Sequence, residues 1–238
     1  MSWYPVRVGL LLRFALVDKL PRNHLEPDSK FHRRRVVVGV VLFIGATLLG
    51  ISLSVRPGDH SFYLLTGALA ATWVVGGFAS GPLHLGRIFG DTHRARFATP
   101  IAIGVLAAAI FVAGAVVVRQ IPPLRDYTET VLAHARQGSK PLLLLITVLN
   151  GVAEEIFFRG ALFAAIGRRY PVPISTAVYA LATLATGNPM LVFAAATLGV
   201  VLGLQRRASG GVLAPILTHV TWSTIMLFAM PPLFASST

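Results

Sequence analysis

Seven apolar segments constrain this chain more than any other feature of its sequence. They cover residues 36–55, 62–80, 98–118, 142–167, 172–186, 190–204 and 211–230, and arginine-bearing stretches or Pro/Gly turns separate them. A membrane-spanning helix needs about 20 mainly apolar residues, which most of these segments supply. The fifth and sixth are shorter and are joined by Gly187-Asn188-Pro189, a pattern that predicts a tight helical hairpin. The expected fold is all-α, a polytopic transmembrane bundle of about seven helices.

Composition supports a membrane location over a water-soluble enzyme. The chain is 55% hydrophobic and only 13% charged, whereas soluble globular proteins carry about 25% charged residues. Lys and Arg are also distributed unevenly: fifteen lie in one set of alternate loops and termini and five in the other. The positive-inside rule then predicts a multi-pass protein of the cell membrane with its N-terminus in the cytoplasm. The net charge of +12 is thus interpreted as a topology signal toward the lipid bilayer, and no nucleic acid partner is expected.

The segments divide the chain into four parts. Residues 1–35 form a basic cytoplasmic or interfacial segment, 36–118 three accessory transmembrane helices, 119–141 an extracytoplasmic polar loop with room for a short surface helix, and 142–231 the helices that carry the candidate chemistry. Within the first part, residues 3–20 are interpreted either as an interfacial amphipathic helix, with Trp3, Tyr4 and Phe14 at the headgroups, or as disordered. Gly199 and Gly203 have the GxxxG spacing that lets two helices approach closely.

The fourth apolar segment contains three ionisable residues, Glu154, Glu155 and Arg159. An ionisable side chain at the centre of a spanning helix costs roughly 2.5–3.5 kcal/mol, so a function is the default hypothesis for such a group. Glu155 and Arg159 are four residues apart, on one helix face, and can pair. Glu154 points away from Arg159 and is the better candidate for a general base. The alternative is that all three residues only hold helices together.

Of the seven histidines, only His219 falls inside a predicted span, and Ser223 lies one turn further on the same face. A buried histidine that satisfies a backbone carbonyl is the alternative interpretation. At about 1.5 Å per residue, Glu154 lies roughly 20 Å and His219 roughly 12 Å from the inner ends of their helices. The two side chains are therefore expected to meet in one cavity.

These residues resemble the motifs of the CPBP family, which comprises type II CAAX prenyl proteases, bacteriocin-processing proteins and self-immunity (Abi) proteins. Glu154-Glu155-Ile-Phe-Phe-Arg159 matches EExxxR, and the stretch ending at His219 resembles the last motif. The resemblance covers about residues 140–230. It implies a multi-helix intramembrane endopeptidase in which Glu154 activates the attacking water, Glu155 and Arg159 support the motif helix, and His219 positions or polarises the reacting groups.

Two positions depart from the family pattern. The second motif, FxxxH, finds its best match in Tyr179-Ala-Leu-Ala-Thr183, with threonine in place of histidine, and the third ends in Ser223 instead of asparagine. A hydroxyl donates a hydrogen bond to a developing oxyanion but is no general base near neutral pH. Thr183 and Ser223 are therefore possible auxiliary donors, and so is Asn150, which lies one turn before Glu154 and is placed to steer its carboxylate.

The residue inventory narrows the chemistry. The chain has no cysteine, no Gly-x-Ser-x-Gly elbow and no HExxH motif, so covalent catalysis, a zinc site and any cofactor are not expected. The prediction is a metal-independent endopeptidase that hydrolyses a membrane-associated protein or peptide with glutamate-activated water. The alternatives are a catalytically impaired scaffold or bacteriocin-immunity-type protein and, less favoured, a proton-coupled carrier.

Overall fold

The computed structural model describes Gly9 and residues 13–17, 27–86 and 93–235, and all regular structure in these residues is helical. A short π-helix covers Arg13–Val17. The α-helices are α1 (Asp28–Ser54), α2 (His60–Ala79), α3 (His93–Val118), α4 (Pro122–Gln137), α5 (Lys140–Glu155), α6 (Phe163–Ile166), α7 (Pro171–Thr183), α8 (Pro189–Ser209) and α9 (Leu213–Leu233). A second π-helix, Ile156–Leu162, joins α5 to α6, and a 3₁₀ turn, Leu184–Thr186, follows α7.

Six helical stretches in the described residues are long and apolar enough to cross a membrane, and α7 with its 3₁₀ turn adds a shorter apolar helix. The predicted all-α bundle of about seven helices is thereby confirmed, and the chain is a multi-pass membrane protein. The helical hairpin expected around Gly187 is present as α7 and α8. The cytoplasmic position of the N-terminus stays a prediction.

Two helices extend beyond their predicted apolar segments because arginines at their ends are part of the packing. Helix α1 begins at Asp28, and its Arg33 and Arg35 donate to the carbonyls of Ala79 and Ala165, at 3.2 and 3.1 Å. Helix α8 continues to Ser209 and includes the buried Arg206. The guanidinium groups hydrogen-bond to carbonyls of neighbouring segments, so these arginines connect elements of the bundle.

The polar stretch predicted as a loop with a short surface helix is largely helical, since α4 occupies sixteen of its residues. The predicted interfacial helix at residues 3–20 lies mostly outside the described residues, as do the side chains of Trp3, Tyr4 and Phe14. Its described part, Arg13–Val17, packs on α8, where Arg207 Nη2 donates to the Leu16 carbonyl at 3.2 Å. This short segment is therefore held against the bundle.

The core of the bundle lies around α5 and the π-helix that follows it, which together carry Glu154, Glu155 and Arg159. Trp73 of α2 packs against Phe157 and Phe158 of the second π-helix, with ring centroids 4.5 and 5.2 Å apart, and all three side chains are buried. On the other side, the glycines at 199 and 203 bring α8 close to α7. A Cβ on Gly203 would lie 3.0 Å from a methyl group of Val172, which confirms the predicted close approach.

Candidate active site

A buried ion pair anchors the site. Arg159 Nη1 donates to Glu155 Oε1 at 2.8 Å, and both side chains are 0% exposed. His219 of α9 joins the same oxygen, with its Nδ1 2.8 Å from Glu155 Oε1. The predicted pairing of Glu155 with Arg159 is confirmed, and the imidazole makes it a cluster of three charged or polar groups.

The contact with Glu155 defines which histidine nitrogen remains for chemistry. An ionised carboxylate can only accept hydrogen bonds, so Nδ1 of His219 must carry the proton that it shares with Glu155. Nε2 is then the nitrogen that faces away from the ion pair. A carboxylate bonded to one imidazole nitrogen in this way fixes the ring orientation and the tautomer.

Glu154 belongs to a second contact, with a residue of α7. The Tyr179 hydroxyl donates to Glu154 Oε2 at 2.6 Å. Glu154 is partly exposed, in contrast to the fully buried Glu155 beside it. Its carboxyl lies near enough to the His219 imidazole and the Arg159 guanidinium for electrostatic interaction. The acids of the motif thus have different surroundings: Glu155 is enclosed by Arg159 and His219, whereas the less buried Glu154 accepts from the Tyr179 hydroxyl.

Arg159 ties these contacts to three helices. Its guanidinium carbon lies 4.8 Å from the centre of the Tyr179 ring, and Nη2 lies 3.4 Å from the carbonyl oxygen of Gly199 on α8. The Arg159 carbonyl in turn accepts from Nε of Arg206 at 2.6 Å. Because α5, α7 and α8 all reach this side chain, the arginine fixes the relative positions of the residues that surround Glu154.

Thr218, the residue before His219, connects α9 to two further helices. Its hydroxyl donates to the Pro100 carbonyl of α3 at 2.8 Å and accepts from Gln205 Nε2 at 2.8 Å. Thr218 is 0% exposed. Consecutive residues of α9 therefore connect this helix to three others: His219 to α5, and Thr218 to α3 and α8.

The structure adds two hydrogen bonds that the sequence analysis does not predict. Glu154 and His219 were expected to meet in one cavity; in the structure His219 hydrogen-bonds to Glu155, and Glu154 hydrogen-bonds to Tyr179. The segment that follows Glu155 is a π-helix, Ile156–Leu162, which has more residues in each turn than an α-helix.

The three auxiliary residues named from the sequence bond to the backbone. Asn150 Nδ2 donates to the carbonyls of Ile146 and Thr66, at 2.9 and 3.3 Å, so the expectation that this amide steers Glu154 is wrong for this structure. Thr183 and Ser223 each donate to a carbonyl of their own helix, at 2.9 and 3.3 Å. Short polar side chains inside helices commonly bond back to the preceding turn, and this local bond competes with a contact to a neighbouring helix.

Sequence reasoning missed Tyr179 as a functional candidate. This tyrosine occupies the aromatic position of the second motif and was treated only as the landmark for Thr183. The signal was available, because Tyr179 lies one turn nearer the inner end than Thr183 and therefore closer to the estimated depth of His219. Its side chain is 9% exposed, and a buried phenol normally finds a hydrogen-bond partner.

Comparison with known families supports the motif assignment. Residues 136–225 match the family model described as Type II CAAX prenyl endopeptidase Rce1-like. Neither the curated proteins nor the solved structures include a match to this chain. The matched stretch runs from the end of α4 into α9 and contains Glu154, Glu155, Arg159, Tyr179 and His219. The resemblance to the CPBP family is thereby confirmed. Residues 136–225 of this membrane protein are Rce1-like, and the Rce1-like family is a family of proteases.

Proposed function

We propose that this protein is an intramembrane, metal-independent endopeptidase that hydrolyses a peptide bond of a membrane-associated protein or peptide. The observation that carries the proposal is the difference in burial and in bonding partners between the two adjacent acids, Glu154 and Glu155. Glu155 is fully buried and paired with Arg159, whereas Glu154 is partly exposed and forms no ion pair with any residue that the structure describes. A carboxylate with access to substrate and water, beside a rigid ion pair, is the arrangement that general base catalysis requires.

In the proposed reaction, Glu154 removes a proton from a water molecule as the water oxygen attacks the peptide carbonyl carbon. A C–O bond forms and the carbonyl π bond opens to a tetrahedral oxyanion. His219 hydrogen-bonds to the attacking water through Nε2, because its Nδ1 is engaged by Glu155. Glu154 then passes the proton to the nitrogen as the C–N bond breaks, so the products are a carboxylic acid and an amine.

The donor set supports a reaction without a metal. In the part of the chain that the structure describes, no three His, Asp or Glu side chains form a group suited to holding a metal ion. Glu155 is already engaged by Arg159 and His219 through the same oxygen. A catalytic zinc site needs three protein ligands with their lone pairs directed to one point.

The test is cleavage of a membrane-anchored peptide library by purified protein in liposomes. Glu154→Gln should lower the cleavage rate by about 10²–10⁴-fold, the usual contribution of a general base. Glu129→Gln is the matched control, because Glu129 is an exposed acid of α4 with a side chain 41% exposed, and it should cleave like the wild type. Cleavage that survives Glu154→Gln would exclude Glu154 as the base.

A second candidate function rests on Thr183. The family motif places histidine here, and the Thr183 hydroxyl donates to the Tyr179 carbonyl of its own helix. This favours a catalytically impaired, scaffold or immunity-type relative, in which the Glu/Arg/His cluster serves only helix packing. Absence of cleavage by the wild type, together with equal binding of a partner by wild type and Glu154→Gln, would support this alternative.

A further inference from the structure

We propose that Tyr179 is a positioning residue for Glu154, and that its hydroxyl does the work left vacant by the missing histidine of the second motif. This inference rests on the proposed function, since it concerns the orientation of the base in that reaction. The family pattern has Phe-x-x-x-His, and this chain has a hydroxyl on the ring at the first position and no imidazole at the last. Both changes affect one helix, α7, which faces Glu154.

The contact is short and its geometry is well supported by the neighbouring residues. The Tyr179 hydroxyl lies 2.6 Å from Glu154 Oε2, within the range of a charge-assisted O–H···O⁻ bond. The ring is held by Phe158, with centroids 4.6 Å apart, and by the Arg159 guanidinium at 4.8 Å. The ring has little freedom to turn, so the direction in which its hydroxyl donates is fixed by packing.

This hydrogen bond distinguishes the two oxygens of the Glu154 carboxylate. With Oε2 engaged by the phenol, Oε1 is the oxygen that is left to accept a proton from water. A glutamate side chain in a partly exposed position otherwise samples several rotamers, and a base must be held within hydrogen-bond reach of the proton that it removes. A phenylalanine ring at position 179 would pack in the same place but could not select one oxygen.

The first experiment measures kcat and KM separately. Tyr179→Phe should lower kcat by about 10- to 100-fold, the range expected for loss of one hydrogen bond to a charged group, with KM changed less than about twofold. Adding Thr183→His to Tyr179→Phe recreates the complete FxxxH pattern and should recover most of the lost kcat. A tyrosine that only filled space would show no effect on kcat in the first variant and no rescue in the second.

The second experiment reads the hydrogen bond without requiring activity. Infrared difference spectra between wild type and Tyr179→Phe should show a shifted carboxyl band, because the partner of Glu154 Oε2 has been removed. The same comparison in a Glu154→Gln background should lack this shift. Equal difference spectra in both backgrounds would show that the tyrosine does not bond to Glu154, and would overturn the inference even if Thr183→His prevented folding.

The outcomes separate this inference from the proposed function. If the wild type cleaves, Glu154→Gln does not, and Tyr179→Phe keeps full kcat, Tyr179 is not a positioning residue and the peptidase proposal stands. If Glu154→Gln cleaves like the wild type, or if neither cleaves, the proposed function fails and the catalytic role of Tyr179 fails with it. A loss of kcat with rescue by Thr183→His supports both.

Discussion

Replacing Arg159 by methionine tests the energetic role of the buried ion pair. The substitution leaves the Glu155 carboxylate 0% exposed with His219 as its remaining donor. It also removes the cation above the Tyr179 ring and the contact with the Gly199 carbonyl. Breaking a buried pair by removing one partner costs about 3–5 kcal/mol because an uncompensated charge stays buried. We therefore expect the free energy of unfolding to fall by about this amount.

The double variant carries the sharper prediction. Glu155 Oε2 and Arg159 Nε are both buried with no hydrogen-bond partner in the described part of the chain. The hydrogen bonds that these two atoms lose when they leave water are therefore not fully replaced by the protein. Glu155→Met with Arg159→Met removes both charges and their desolvation cost together. We expect the double variant to lose less free energy than the sum of the two single variants, with a coupling of about 2–3 kcal/mol, near the upper limit for contacting residues.

The measurement is reversible unfolding in bicelles, followed as a double-mutant cycle. Arg125 and Glu129 provide the matched control: they are also four residues apart on one helix, but 4.0 Å from each other with side chains 47% and 41% exposed. Their coupling should stay below about 1 kcal/mol. Additive losses at Glu155 and Arg159, or a single loss below about 1 kcal/mol, would refute the reasoning from burial.

Three further predictions follow from the same contacts. Thr183→Val should change the cleavage rate less than about threefold, because among the described residues the hydroxyl bonds only to the Tyr179 carbonyl of its own helix; a tenfold loss would place that hydroxyl in the reaction. Gly199→Ala should lower the free energy of unfolding by about 1–3 kcal/mol through overpacking, since its Cβ would lie 3.1 Å from a threonine methyl of α7, whereas Gly114→Ala, with no atom within 4 Å, should not. Because the chain has no cysteine, Arg125→Cys should react with an impermeant maleimide on intact cells and Arg168→Cys only after permeabilisation; the reverse pattern would invert the predicted orientation.

The fold was accessible from the sequence because hydrophobic segments of spanning length admit few alternatives in lipid, where backbone groups must bond within their own helix. The same constraint made Glu154, Glu155, Arg159 and His219 conspicuous, since each is costly in an apolar span. The i, i+4 spacing correctly predicted the Glu155–Arg159 pair, as a contact within one helix depends on local geometry alone.

Contacts between helices were harder to predict. Whether His219 reaches Glu154 or Glu155 depends on the rotation of α9 against α5, which no spacing within either helix determines. The π-helix after Glu155 changes the rise and the rotation per residue of the backbone, and the residues Ile156-Phe-Phe-Arg-Gly carry no sequence pattern that predicts a π-helix. Tyr179 was overlooked because the expected chemistry was attached to histidine, so an aromatic residue was assigned to packing.

The hydrogen bond that Thr218 of α9 makes to α3 indicates whether the Rce1-like stretch can form its site without the rest of the chain. Pro100, whose carbonyl receives the Thr218 hydroxyl, belongs to α3, outside residues 136–225. Helix α3, which the family match does not include, therefore holds α9 in place, and α9 carries the imidazole of His219. A fragment limited to the matched stretch would lack this hydrogen bond. The accessory helices therefore help to position the site residues and are not structurally independent of them.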